Sequence, residues 1–124
     1  MSKSRSRLLP YMERTLRTVR GFTTAIHFGR QAKHMPGQPN HDPSKSITTV
    51  SLPRMQELVE MKAGTGRWYG RNREVVDFGV NIGFFTDPRT GVTVPTSRGT
   101  IHYAKAGAHV VPTAPRSPSR QGKS

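Results

Sequence analysis

Residues 99–112, GTIHYAKAGAHVVP, place two short runs rich in β-branched and aromatic residues, 99–105 and 108–112, on either side of Ala106-Gly107. Small turn residues between two such runs spell a β-hairpin. With Ala106 and Gly107 as a two-residue turn, Lys105 pairs with Ala108, Ala104 with His109, Tyr103 with Val110, and His102 with Val111. Strand side chains alternate between faces. His102, Ala104, His109 and Val111 therefore share one face, and Ile101, Tyr103, Lys105 and Val110 the other. The two imidazoles are expected as diagonal cross-strand neighbours, roughly 7–8 Å apart at the backbone and within reach of one bound group.

Upstream, residues 74–78, 81–86 and 92–96 are also short, β-branched or aromatic runs separated by turn residues. Asp87-Pro88-Arg89-Thr90-Gly91 reads as a hairpin loop, and Pro95 requires an edge strand or a bulge. Before these strands, Ser51 and Pro53 open a capped short helix whose apolar positions Met55, Leu58, Val59 and Met61 run to a stop near Gly64. Residues 35–46 hold three prolines and must be an irregular loop. Leu8, Leu9, Met12, Leu16 and Val19 recur at helical spacing, so residues 8–20 are expected as a basic amphipathic helix ending at Gly21. From Thr113 onward Pro, Ser and Arg dominate, as in a disordered tail. There is no internal repeat. The expected fold class is α+β: short helices packed on a four- to five-stranded antiparallel sheet, with basic flexible termini.

The 124 residues carry 20 Lys plus Arg against 7 Asp plus Glu, a net charge of +13, and are only 32% hydrophobic, enough for one modest core. Residues 1–36 hold eight basic side chains and one acidic, and residues 116–124 hold three basic and none, so the two ends contribute ten of the thirteen net charges. Such arms favour polyanions through phosphate neutralisation and counterion release. Acidic lipid or an acidic protein would be attracted in the same way, and the Ser- and Arg-rich start also has the composition of an organelle transit peptide. No apolar run nears the ~18 residues of a membrane span, and no signal-peptide-length apolar segment opens the chain, so a soluble protein outside the general secretory route is expected. The absence of cysteine excludes disulfide scaffolds, zinc ribbons and cysteine nucleophiles.

What remains is imidazole, hydroxyl, carboxylate and Lys/Arg chemistry. Imidazole titrates near pH 6.5, so one neutral and one protonated copy on a shared face can serve as base and acid on the same phosphodiester. Lys33-His34 precedes a Pro-Gly turn from which an imidazole can project into a cleft. Thr96-Ser97-Arg98-Gly99 puts hydroxyls and a guanidinium just ahead of the histidine strand, and a guanidinium can stabilise charge on a pentacovalent phosphate. Arg67, Trp68, Tyr69, Arg71 and Arg73 interleave aromatic and cationic side chains, which suits base stacking with phosphate contact as well as an ordinary solvated loop. Residues 64–70 are glycine-rich but lack the Lys-Ser/Thr and the strand-to-helix setting of a phosphate loop. His34, His41, Asp42 and the strand histidines show no metal-ligand spacing such as HExxH, so neither a metal nor any other cofactor is expected.

Several motifs together resemble the type 50 polymorphic-toxin domain. They are Lys33-His34-Met35-Pro36-Gly37, Gly64-Thr65-Gly66, Val76-Asp77-Phe78-Gly79, Ile82-Gly83, Pro95-Thr96-Ser97-Arg98-Gly99, and the signature IHYxKxGxHxVP from Ile101 to Pro112. The resemblance covers about residues 33–115. It implies a barnase/EndoU/colicin/RelE-like fold and a metal-independent endoribonuclease, whose substrate 2′-hydroxyl attacks the adjacent phosphate to leave a 2′,3′-cyclic phosphate. It also implies a toxin domain that often ends phage minor head proteins or secreted effectors. Carried over by motif, the site is His34, Thr96, Arg98, His102, Tyr103, Lys105 and His109. His102 and His109 are then the acid and base, Arg98 and Lys105 bind phosphate, and His34 is a third ionisable group. Strict alternation turns Lys105 away from the histidines, which leaves it a phosphate contact around the strand end or a structural residue.

The expected layout is a basic helix and arm at 1–32, the ribonuclease-like domain at 33–115 and a basic tail at 116–124. The expected partners are RNA, an immunity protein and phage head or injected-particle components, without a membrane. The setting is the cytoplasm of the target or host cell, or a virion. The basic arms fit equally a non-enzymatic nucleic-acid-binding or phage structural protein, which would bind in a salt-dependent way without turnover.

Overall fold

Ser51 and Pro53 do begin a helix. In the computed structural model, which describes residues 16–37 and 46–115, the Ser51 hydroxyl accepts from the Arg54 amide at 3.2 Å, and the helix runs Leu52–Lys62. In chain order the elements are β1 (Thr18–Val19), β2 (Phe22–Thr23), α1 (Phe28–Ala32), β3 (Ile47–Thr48), α2 (Leu52–Lys62), β4 (Arg67–Tyr69), β5 (Arg73–Asp77), β6 (Gly83–Thr86), β7 (Thr93–Thr96), β8 (Arg98–His102) and β9 (His109–Pro112). The class is α+β, with every strand pair antiparallel. The strands form three sheets, ordered β1-β2, β3-β6-β7 and β4-β5-β8-β9, the last being the expected four-stranded antiparallel sheet and the other two additional to it. Only Ser97 separates β7 from β8, and the chain changes sheet there. The Ser97 carbonyl accepts from the Phe78 amide at 2.8 Å and its hydroxyl donates to Asp77 at 2.9 Å, which pins the corner. Pro95 lies on β7, an edge strand, where its missing N–H is tolerated.

The core lies between α2 and one face of the four-stranded sheet. Met55, Leu58 and Val59 of α2 meet Val76, Ile101 and Val110 of the sheet, with Ile26, Phe78, Ile82, Tyr103 and Ala108 completing the cluster. Met61, expected on the buried face of this helix, is instead exposed. The last turn of α2 is closed from outside: Arg17 donates from Nε to the Glu60 carbonyl at 2.8 Å and from Nη2 to the Ala63 carbonyl at 2.7 Å. These are carbonyls that a helix end leaves without intrahelical donors.

Three sequence expectations are corrected. Residues 16–20 do not end a helix: β1 and β2 form a hairpin through Arg20 and Gly21, both at positive φ (53° and 83°), as a tight hairpin turn demands. The proposed helical residues 8–15 lie outside the described residues, as do 38–45 of the loop and the 116–124 tail. The 67–73 segment is not an open loop, because it forms β4 and the turn into β5. Third, the histidine hairpin has a longer loop than two residues. Its register pairs Thr100 with Val111, Ile101 with Val110 and His102 with His109.

The cause of this register lies in competing partners. The Tyr103 amide donates to the Asn72 carbonyl at 2.8 Å. Ala108 bridges in parallel to Ile26, its amide on the Ala25 carbonyl at 2.7 Å and its carbonyl accepting from His27 at 2.8 Å. Gly107, at φ 135°, makes that approach possible, since a Cβ there would lie 3.0 Å from the Ala25 oxygen and from the His27 Cβ. The described residues before position 33 therefore pack with the rest of the domain: Ile26 is fully buried in the core. A slip of two residues keeps every side chain on its expected face.

Candidate active site

Because directly opposed residues share a face, the register of the four-stranded sheet sorts its side chains into rows. One row, Trp68–Glu74–Ile101–Val110, faces the core. The adjacent row, Tyr69–Arg73–His102–His109, faces away from it. His102 and His109 stand directly opposite each other, closer than the diagonal pairing expected, with ring centroids 4.8 Å apart and planes inclined by 12°. His34, just past the end of α1, also stacks on His109, at 6.0 Å and 15°. Three of the four described histidines thus form one continuous stack, and Arg73 continues the row on the next strand.

Each ring is held by a different device. His102 sits on an inner strand, flanked by β5 and β9. His109 opens β9, the last strand of the sheet, whose outer edge is satisfied by a side chain. The Gln31 amide of α1 accepts from the Val110 N–H at 2.7 Å and donates to the Val110 carbonyl at 2.9 Å, as a neighbouring strand would. His34 is almost wholly buried, with its Nδ1 on the Ser46 carbonyl at 3.0 Å. A carbonyl can only accept, so Nδ1 of His34 carries a hydrogen. The fourth histidine, His27, caps α1, its Nδ1 accepting from the Arg30 amide at 3.3 Å.

The stack is electrostatically tuned. Burial pushes the His109 imidazole down to about 3, helped by the positive charge that His102, His34, Arg30 and His27 would present to it. Its Nδ1 is buried with no hydrogen-bond partner among the described residues, so protonation there would strand an N–H. Burial likewise lowers His102, followed by Arg73 across the strand and by His34. At neutral pH both rings are neutral, as a proton acceptor must be.

The other sequence candidates are distributed differently. Arg98 and Thr100 share the face of His102 along β8, but the Arg98 guanidinium donates to the Ala114 carbonyl at 2.9 Å, four residues away from the histidine. Thr96 is buried, its hydroxyl donating to the Thr113 carbonyl at 2.7 Å and accepting from the Arg98 amide at 3.0 Å. Lys105 is exposed in the turn between β8 and β9. Tyr103 lies on the core side, stacked between Trp68 (5.3 Å) and Phe22 (5.7 Å), with its hydroxyl donating to Glu74 at 2.7 Å. Burial and that carboxylate raise the Tyr103 phenol well above its usual range. Among the aromatic and basic residues of 67–73, Arg67, Tyr69 and Arg73 fall on the imidazole face. Trp68 falls on the opposite side, under the Arg20 guanidinium at 3.9 Å, and Arg71 is exposed in the turn. His41 and Asp42 lie outside the described residues.

Sequence reasoning missed His27, Gln31 and Glu74. A five-residue helix is too short to show a period, and a single Gln carries no pattern until its partner strand is known. Glu74 is a buried carboxylate whose partners are Tyr103, the Gly64 amide (3.0 Å) and the Gly66 amide (2.6 Å). Only the alternation of β5, which turns position 74 inward with position 76, could have marked it.

Fold and site together define a small basic α+β domain that presents stacked imidazoles and arginines on the outward face of a sheet. Its family is the one whose model is described as Bacterial toxin 50. That model matches residues 26–112, from the Ile26 bridge to the end of β9, and the chain belongs to this family of toxin domains. No curated protein matches the chain. No described helix is long and apolar enough to cross a membrane.

Proposed function

We propose that this toxin domain is a metal-independent endoribonuclease whose imidazole stack is the acid and base on an RNA phosphodiester. The observation that carries this reading is the directly opposed pair His102 and His109 on the outward sheet face, with Arg73 next in the row. A neutral imidazole of the pair takes the proton of the ribose 2′-hydroxyl. The 2′ oxygen bonds to phosphorus, the bond from phosphorus to the 5′ oxygen breaks, and that oxygen takes a proton from a second imidazole. One strand end is left as a 2′,3′-cyclic phosphate and the other as a 5′-hydroxyl.

Crowded imidazoles repel a second positive charge, so the free site resists protonation. An entering phosphodiester anion reverses this, and the His102–His109 pair, titrating as a unit, gains its acid proton with the substrate. Arg73 stabilises the charge that develops on the phosphorane. Arg98, further along the same face on β8, and Lys105, in the turn after β8, meet phosphates beyond the one that is cleaved. The row contains no carboxylate, and its near-parallel rings turn faces toward one another instead of converging nitrogens. Both features suit proton transfer better than metal ligation. An immunity protein that covers this face is the partner such a toxin requires, and delivery by a phage particle or by secretion brings the domain to the RNA of a target or host cytoplasm.

The test is incubation of the purified chain with mixed-length RNA in EDTA. Wild type should shorten the RNA, and His102→Ala should be slower by about 10²–10⁴-fold. Salt-dependent retention of intact RNA, equal in wild type and variant, would make the protein a non-catalytic polyanion binder instead.

A further inference from the structure

The outward row extends beyond the acid–base chemistry. Tyr69 is its last member, on the edge strand β4, and the side chain is 47% exposed although large and aromatic. It stands directly opposite Arg73, which stands directly opposite His102. With neighbouring strands roughly 4.8 Å apart, the Tyr69 backbone lies about 10 Å across the sheet from that of His102. The Arg67 guanidinium lies 5.9 Å over the Tyr69 ring and biases its orientation. Reading outward from the imidazoles, the row is therefore acid–base pair, phosphate-binding cation, aromatic plate. That is the order in which a phosphodiester, its neighbouring backbone and an adjacent base present themselves.

On the ribonuclease reading, which this inference presupposes, we propose that Tyr69 is the stacking plate for the base of a nucleotide next to the cleaved phosphate, and that the substrate is therefore unpaired RNA lying across the strands. A base can lie flat on Tyr69 only when it has left its own stack, and a paired base in a duplex has both faces covered by its neighbours. Aromatic plates of this kind accept any base, because every base has a π-face, so the site selects for single-strandedness more than for sequence. The opposite end of the row explains why the RNA must leave toward β4: His34 and α1 stand against the β9 side.

The test uses the full chain with three RNAs of one sequence: unpaired, unpaired with an abasic nucleotide beside the cleaved bond, and locked in a duplex stem. Wild type should cleave the unpaired RNA at least tenfold faster than the stem. Tyr69→Ala should lower kcat/KM on the unpaired RNA by about 10-fold, and Tyr69→Phe should restore it. On the abasic RNA, Tyr69→Ala and wild type should be equal. Equal cleavage of stem and single strand, or a Tyr69→Ala loss that persists on the abasic RNA, overturns the inference and leaves the nuclease intact. Wild type that cleaves none of the three overturns the ribonuclease reading and this inference with it.

Discussion

His109 is the residue on which the imidazole chemistry turns, and its environment makes a claim about stability as well as reactivity. Its folded-state value is lowered from 6.5 to about 3, and that of His102 is lowered too. The unfolded chain therefore binds more protons than the folded chain below about pH 6.5. The contribution of these rings to stability is complete above that value and is lost as pH falls from 6.5 toward about 3. Urea unfolding at pH 7.5 and pH 4.5 should show a drop in stability for wild type, and His109→Gln, which cannot titrate, should show a smaller one. An equal drop in the two proteins would mean that His109 is not held neutral by burial. Tyr103 is the contrasting case at this scale. It lies in the same signature as His102, yet adjacent strand positions face opposite ways, and its bond to Glu74 ties the core together while His102 faces outward.

At the scale of elements, α1 acts through one side chain. Gln31 supplies donor and acceptor to Val110 and so finishes the edge of β9 beside His109. Gln56 of α2 does the same for the segment leading to α1, accepting from the Ile26 amide at 2.9 Å and donating to the Thr24 carbonyl at 2.8 Å. Gln31→Ala would leave a buried N–H and a buried carbonyl without partners, and should cost about 3 kcal/mol. A urea midpoint unchanged from wild type would show that the edge finds other partners. Such clips explain much of what the sequence concealed. Capping residues and apolar spacing located α2, and period-two alternation with turn residues located the strand runs from residue 74 onward, because those signals are local. The two-residue turn failed because Tyr103 and Ala108 satisfy their backbone groups on Asn72, Ala25 and His27, partners far away in the chain. The N-terminal hairpin was hidden by Leu16 and Val19, whose spacing mimics a helix, although Thr18 and Val19 are β-branched and Arg20-Gly21 is a turn.

Across the whole molecule, charge and chemistry divide. The termini carry most of the net charge of +13, while the face that holds the imidazoles adds Arg67, Arg73 and Arg98 in fixed positions. The shared face of His102 and His109 was legible from alternation alone, because a register slip of two preserves it. His34 was marked in the sequence by its place before a Pro-Gly turn and by the family resemblance, and neither gives its partner. Nothing local indicates that residue 34 reaches a strand 75 positions later, a contact set by Gln31 and by the Ser46 carbonyl. The division also separates the proposed ribonuclease from its non-catalytic alternative, since basic arms would hold a polyanion without turnover whereas cleavage would need the imidazole row. The most direct measurement is therefore of the bond itself: an RNA of defined sequence is cleaved in EDTA, its ends are analysed, and the same RNA is made with a single 2′-deoxy nucleotide at the cleaved position. A 2′,3′-cyclic phosphate end is expected on the first RNA, and no cleavage at that position in the second. Cleavage that persists past the missing 2′-hydroxyl, or that leaves no cyclic phosphate, would contradict the proposed mechanism.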